Sequence, residues 1–304
     1  MTKSQASDTL RAIGLMVLSM ATFATADSMI KVSSNFLPGS EILTFMGIGG
    51  FSVFSMACVA KGIPLISKRI LHPAVIARGA SEIIATCGFL MALTLLDFSV
   101  ASAILQVAPL IVTLGAAILL RESVSWRRWS AVVIGFVGVL IILNPAGIDD
   151  NVFEANPTGA ILAIVGVTGL AGRDLATRFI PRDVPNVQAA TWGFAVVIIA
   201  GGLLSLFGKP WVIPSFITMI YIITLVIFAC VGYFTITAAM RIGDVSAVAP
   251  FRYTRIVFAF ILSVAIFDER LTLRILIGAC IIVAAGIYVW LRETKRAIPL
   301  QSNA

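Results

Sequence analysis

The sequence predicts an all-α polytopic membrane protein of ten transmembrane helices, laid out as two inverted five-helix repeats. Three observations carry that prediction. The 304 residues are 59 % apolar and only 12 % charged, against about 45–50 % and about 25 % in soluble globular domains. Ten stretches approach the roughly 20 apolar residues that a helix needs to cross a bilayer. A shift of 147 residues also lays part of the second half on the first. The composition excludes a disordered chain, a coiled coil and a nucleic-acid binder. It argues against a soluble enzyme, because an apolar majority of this size needs lipid as its solvent.

The spans fall at residues 12–32, 41–60, 75–95, 100–120, 129–143, 159–179, 188–207, 217–239, 245–267 and 273–291, the fifth being short. Helix breakers separate them: Pro38-Gly39, Gly62 before Pro64, Asn144-Pro145, Asn156-Pro157, Pro181 with Pro185, and Gly208 before Pro210. No gap is long enough for a soluble domain, so residues 1–147 and 148–304 read as two halves of one bundle. Ala24-Thr25-Ala26 has the small-residue pattern of a signal-peptidase site. The apolar run continues to Val32, however, so the first span reads as a retained helix. Cys58, Cys87, Cys230 and Cys280 each sit in an apolar run without a CxxC pair, which reads as small buried hydrophobes with no metal site.

Ten spans put both termini on one side. With the termini inside, fifteen of the 22 Lys and Arg residues fall on the inner side, four fall outside and three lie within spans. This is the positive-inside pattern. It places both termini in the cytoplasm and accounts for the net charge of +7 without an acidic partner.

Under the 147-residue shift, Asp97 meets Asp244, Ser99 meets Ser246, Gln106 meets Tyr253, Glu122 meets Glu269 and Arg127 meets Arg274. The matches fall at the same helix ends in both halves. Five spans is an odd number, so the second half enters the membrane upside down, a plan common among secondary transporters. The paired glutamates Glu122 and Glu269, each after a fourth span, are family-like markers. So is the stretch RIGDVSAVAPFRYTRIVFAFILSVAIFDERLTLRILIGACIIVAAG. On these residues the chain resembles the drug/metabolite transporter superfamily and its EamA-type carriers. The resemblance implies a secondary active transporter of the bacterial inner membrane, with a central cavity lined by spans one, three, four, six, eight and nine. It implies a small polar substrate that is vitamin-, nucleoside- or amino-acid-like, riboflavin and S-adenosylmethionine among them.

Charge inside a span costs roughly 2.5–3.5 kcal/mol on insertion scales, so it should face protein or a water-filled cavity. Arg252 and Arg255 flank Tyr253 and share a helix face by their spacing of three. They read as a grip on an anionic substrate group, as partners of an internal carboxylate or, for Arg255, as a snorkelling side chain. Pro250 removes a backbone donor just before them. Asp27 and Lys31, at i and i+4, either pair with each other or leave Asp27 to take a coupling proton or contact a cationic substrate group. Glu82 reads as a proton carrier, a counter-ion for Arg252 or Arg255, or a local partner of Arg78. Arg173 and Asp174 are adjacent and so read as poor partners for one another, with Arg173 aimed at the cavity. Gln106, Tyr233 and Tyr253 are softer cavity candidates. Trp192 reads as an interface anchor or a cavity residue. Asp97, Asp244, Ser125 and Thr272 read as helix N-caps, and Gly135, Gly138, Gly278 and Gly286 as points of close helix approach.

The sole histidine, His72, has no metal-ligand companion, and no HExxH, GxSxG or phosphate loop is present. The chain therefore reads as a carrier rather than an enzyme, without cofactor or metal, as a monomer or homodimer. A channel or non-transporting helper subunit is the alternative.

Overall fold

A computed structural model describes residues 3–119, 126–144, 152–181, 183–206, 208–242 and 248–297. The Glu122 marker and the Asp244 and Ser125 caps lie outside them. Every regular element among the described residues is a helix, joined by short links, as the hydropathy pattern leads one to expect. In order, the helices are α1 (Lys3–Ser33), α2 (Gly39–Ala60), α3 (Pro73–Leu95), α4 (Phe98–Leu105), α5 (Ala108–Leu119), α6 (Trp126–Leu143), the single turn α7 (Val152–Ala155), α8 (Pro157–Thr177), α9 (Asn186–Ser205), α10 (Phe216–Ile242), α11 (Thr254–Phe267) and α12 (Leu273–Ala297). A 3₁₀ turn, Ala249–Tyr253, precedes α11. Eight units have the length and apolarity to cross a membrane, and two shorter apolar helices, Trp129–Leu143 and Leu273–Tyr288, complete ten.

The helix ends follow the local sequence. Pro73 and Pro157 start α3 and α8, where a missing N–H does no harm. His72 Nδ1 accepts from the Ala74 amide, and Asn156 Oδ1 accepts from the Gly159 amide at 2.9 Å. Thr272 Oγ1 accepts from the Ile275 amide at the start of α12. Asp97 does not cap α4 with its side chain. Glu269, from the link between α11 and α12, does so instead: its two oxygens accept the Phe98 and Ser99 amides. The α11 end that carries this link turns at Asp268, whose φ is +50°.

The packing obeys the repeat. The principal pairs are α1 with α10, α3 with α8, α2 with α9 and α6 with α12. The 147-residue shift exchanges α1 with α8 and α3 with α10, so the first two pairs are one contact seen twice. The other two pair each helix with its own counterpart. Glycine allows the closest approaches. A Cβ on Gly88 would stand 2.8 Å from the Gly166 backbone, and one on Gly138 would stand 2.8 Å from the Gly278 carbonyl.

The two fourth-in-repeat spans are both discontinuous. The first breaks at Gln106 and Val107, between α4 and α5. The second changes from 3₁₀ to α-helix after Tyr253. These breaks share one register, and they touch: Gln106 Nε2 donates to the Tyr253 carbonyl oxygen at 3.4 Å, across a separation of 147 residues. Equivalent residues can meet in this way only beside the pseudo-twofold axis.

Candidate functional site

A central cavity of about 1030 Å³ lies around that axis. It is lined by Asp27 of α1, Arg78 and Glu82 of α3, Gln106, Arg173 and Asp174 of α8, Tyr233 of α10, and Arg252, Tyr253 and Arg255 of the ninth span. The cavity extends to Thr177 and Arg178 at the end of α8, which are exposed, and to Asn186 at the start of α9. Toward the opposite end of the bundle, Lys31 and Glu269 lie outside the cavity lining. There Lys31 Nζ donates to the Leu96 carbonyl, lies 3.5 Å from Glu269 Oε1 and sits 5.4 Å from the Phe267 ring centroid. Glu269 in turn holds the N-terminus of α4.

Three carboxylates and four guanidiniums line the cavity proper, and they pair in two groups. The first is a chain. Arg78 NH2 lies 3.8 Å from Glu82 Oε2. Glu82 Oε1 is 3.3 Å from Arg173 NH1. Arg173 NH2 is 2.8 Å from Asp174 Oδ1, and Asp174 Oδ2 is 3.4 Å from Arg252 NH2. The second group is the pair Asp27–Arg255 at 2.5 Å, with the guanidinium over the Phe23 ring. Mutual pairing is what makes so many charges tolerable in a low-dielectric interior.

Several expectations change here. Asp27 and Lys31 do not pair with each other. Asp27 faces the cavity and meets Arg255, while Lys31, one turn on, reaches Glu269 and Leu96. Arg255 is therefore held internally and does not snorkel. Glu82 pairs with Arg173 and Arg78, not with Arg252 or Arg255. Adjacent Arg173 and Asp174 do bond, because the long guanidinium folds back so that Nε and NH2 both reach Oδ1. Trp192 does not line the cavity. Its ring is buried and its Nε1 donates to the Leu65 carbonyl at 2.8 Å, tying α9 to the link between α2 and α3.

Tyr233 and Phe194 form an aromatic wall, backed by Phe54, which stacks on Phe194 at 5.5 Å and meets Tyr233 edge-on at 5.2 Å. Asp174 was not singled out as a site residue by the sequence reading. Its signal was available: the 147-residue shift lays Asp27 on Asp174 and Lys31 on Arg178.

One family model matches the chain twice, at residues 10–144 and 157–291, and is described as the EamA-like transporter family. Both boundaries of the second match are displaced by the same 147 residues that relate Gln106 to Tyr253. The chain belongs to the EamA-like transporter family. An S-adenosylmethionine uptake transporter of Rickettsia prowazekii (strain Madrid E) is 23 % identical over 94 % of each chain. A riboflavin transporter of Vibrio cholerae serotype O1 is 27 % identical over 64 % of this chain and 63 % of that protein. A solved crystal structure superposes with a TM-score of 0.64 at 20 % identity, covering 98 % of this chain and all of that one. Membership of that family, with transporter-named relatives along the chain, makes this a multi-pass small-metabolite transporter.

Proposed function

We propose that this EamA protein is a secondary carrier, not an enzyme, of the cytoplasmic membrane, with both termini cytoplasmic. Residues 1–147 and 148–304 rock about the Gln106–Tyr253 axis in alternating access. The observation that carries this reading is a charged cavity at the repeat interface that reaches one end of the bundle while Lys31 and Glu269 close the other. Arg252 holds an anionic group of the substrate, since its side chain is the most exposed of the seven paired charges. Tyr253, Gln106, Tyr233, Glu82, Arg173 and Arg255 complete the lining. Asp27 or Glu82 takes the coupling proton. Trp192 supports the site from outside. The names of the relatives direct the first assays to S-adenosylmethionine and riboflavin.

The test is flux into proteoliposomes. Saturable uptake of either labelled compound is expected, and Arg252→Ala should reduce it at least tenfold with the protein still folded. Normal uptake by that variant would move the site elsewhere. Stepwise ionic current across a planar bilayer would identify a channel instead. A proton gradient of the right sign should accelerate uptake, and Asp27→Asn or Glu82→Gln should remove that acceleration.

A further inference from the structure

We propose that the links at residues 61–72 and 208–215 are a pair of interfacial anchors, one for each leaflet of the bilayer. The inner side of each link clasps a helix of the opposite repeat. The outer side seats apolar side chains at the headgroup boundary. The partner is the lipid surface itself, whatever solute the chain carries.

The clasps fix which side of each link faces outward. After α2, the first link crosses the start of α9. Gln188 Nε2 donates to the Pro64 carbonyl at 2.5 Å, and Trp192 Nε1 donates to the Leu65 carbonyl. Arg69, in the 3₁₀ turn Lys68–Leu71 of this link, pairs with Asp183 just before α9. After α9, the second link crosses the start of α2. Glu41 Oε2 accepts the Val212 amide at 3.1 Å, and the Trp211 ring centroid lies 6.3 Å from that of Phe45. The 147-residue shift lays Glu41 on Gln188, Phe45 on Trp192, Pro64 on Trp211 and Leu65 on Val212. The two clasps are one device built twice with different side chains, at opposite ends of the antiparallel α2–α9 pair.

The next residue of each link is an isoleucine, and these two are also equivalent under the shift. Ile66 is 82 % exposed and Ile213 is 95 % exposed. Leu71 in the first link, Trp211 in the second and Phe216 just after it are exposed as well. Both links lie beyond the ends of the apolar spans Gly39–Ala60 and Asn186–Ser205, whose lipid-facing surface they continue. Water is a poor solvent for this apolar area. The hydrocarbon core is excluded too, because a non-helical backbone there needs partners for its peptide groups. The headgroup boundary meets both requirements. It takes apolar side chains while hydrating peptide groups. The neighbouring residues agree with that depth. Trp211 is of the type enriched at membrane interfaces, and exposed Lys61, Lys68 and Lys209 present ammonium groups to lipid phosphates.

The experiment places a nitroxide on Ile66→Cys and, separately, on Ile213→Cys of the full chain in phospholipid vesicles. Exposed Cys280 is replaced by Ser in the background. Collision with oxygen, which partitions into lipid, is compared with collision with a water-soluble nickel chelate. Ile227→Cys, exposed in the middle of α10, is the lipid reference. At both link positions oxygen should exceed the chelate at least threefold, with a depth between that of the reference and bulk water. A label at either position that favours the chelate would overturn the anchor. A label shielded from both reagents and broadened by a second spin would overturn it in favour of a second copy of this chain. The clasp is tested by Gln188→Ala read at the Ile66 label and Glu41→Ala read at the Ile213 label. Each change should raise the mobility of its own label and leave the other link's label as it was. The thermal midpoint identifies a variant that has unfolded, and the other variant then keeps the test open. Unchanged mobility in a folded variant would overturn the clasp.

Discussion

The two halves of the cavity share a scaffold but not a chemistry. Asp27 in the first half and Asp174 in the second occupy the same register, and each is held by an arginine. Both arginines, however, come from the second half. Where the ninth span carries Arg252, Tyr253 and Arg255, the fourth carries Leu105, Gln106 and Ala108. The first half contributes Asp27, Arg78 and Glu82 to the cavity, and the second contributes Arg173, Asp174, Arg178, Arg252 and Arg255. One face is net negative and the other net positive, so ion pairs cross between the halves. The symmetry governs helix packing, and departures from it supply the groups able to meet a substrate.

The most damaging way to break this comparison is to remove the short cross-repeat arginine. Arg255→Ala leaves Asp27 buried without a partner, and stability should fall by about 3–5 kcal/mol. Thermal melting in detergent measures it. Adding Asp27→Asn should recover most of the loss, which a merely steric role for Arg255 would not allow.

Next in size is the packing of the asymmetric tyrosine. Tyr253 lies against Gly286, where a Cβ would collide with the ring and hydroxyl. The equivalent positions in the first half are Gln106 and Val139. Gly286→Ala should therefore displace Tyr253 at a cost of about 1–3 kcal/mol, the range for overpacking. Gly286→Ala combined with Tyr253→Gln should be better tolerated than Gly286→Ala alone, which denaturation of the two variants would compare.

Glu269 offers a smaller effect. Glu269→Gln weakens two caps on α4 and the contact with Lys31, and should lower stability by about 1–2 kcal/mol. The smallest effect belongs to Asp97. Burial first, and then the charge of Glu269, push its carboxyl above the usual range, with Lys31 opposing. A raised folded-state pKa means that wild type loses stability as pH rises through it. Asp97→Asn removes that loss, so the variant's advantage should grow as pH rises above the ordinary aspartate range of about 4 and then level off. It should stay under about 1 kcal/mol, because solvent screens this exposed side chain. Melting curves across that range would check the slope.

The spans were legible in the sequence because lipid imposes a length and an apolarity on each one separately. The repeat was legible because equivalent residues such as Gln106 and Tyr253 keep a constant offset. The partners of the charges were not. Asp27 and Lys31 satisfy the i, i+4 rule, yet each has a stronger claimant on another helix, Arg255 for one and Glu269 for the other. Arg173 reaches its neighbour Asp174 because a long side chain can turn back, which adjacency on a helical wheel does not convey. Trp192 stands near a helix start in sequence, but only the course of the link between α2 and α3 reveals that its N–H goes to Leu65. In each case the deciding information is the position of a second segment.

The meeting of Gln106 with Tyr253 has a consequence for descent. A homodimer of one five-helix unit would place a single residue type against its own copy on that axis. Joining two units in one gene lifts that restriction, and the pair seen here, an amide donating to the backbone of a tyrosine that packs over a glycine, is one that no such dimer could assemble. With two units in one chain, the two positions at its centre can hold different residues, and here they do.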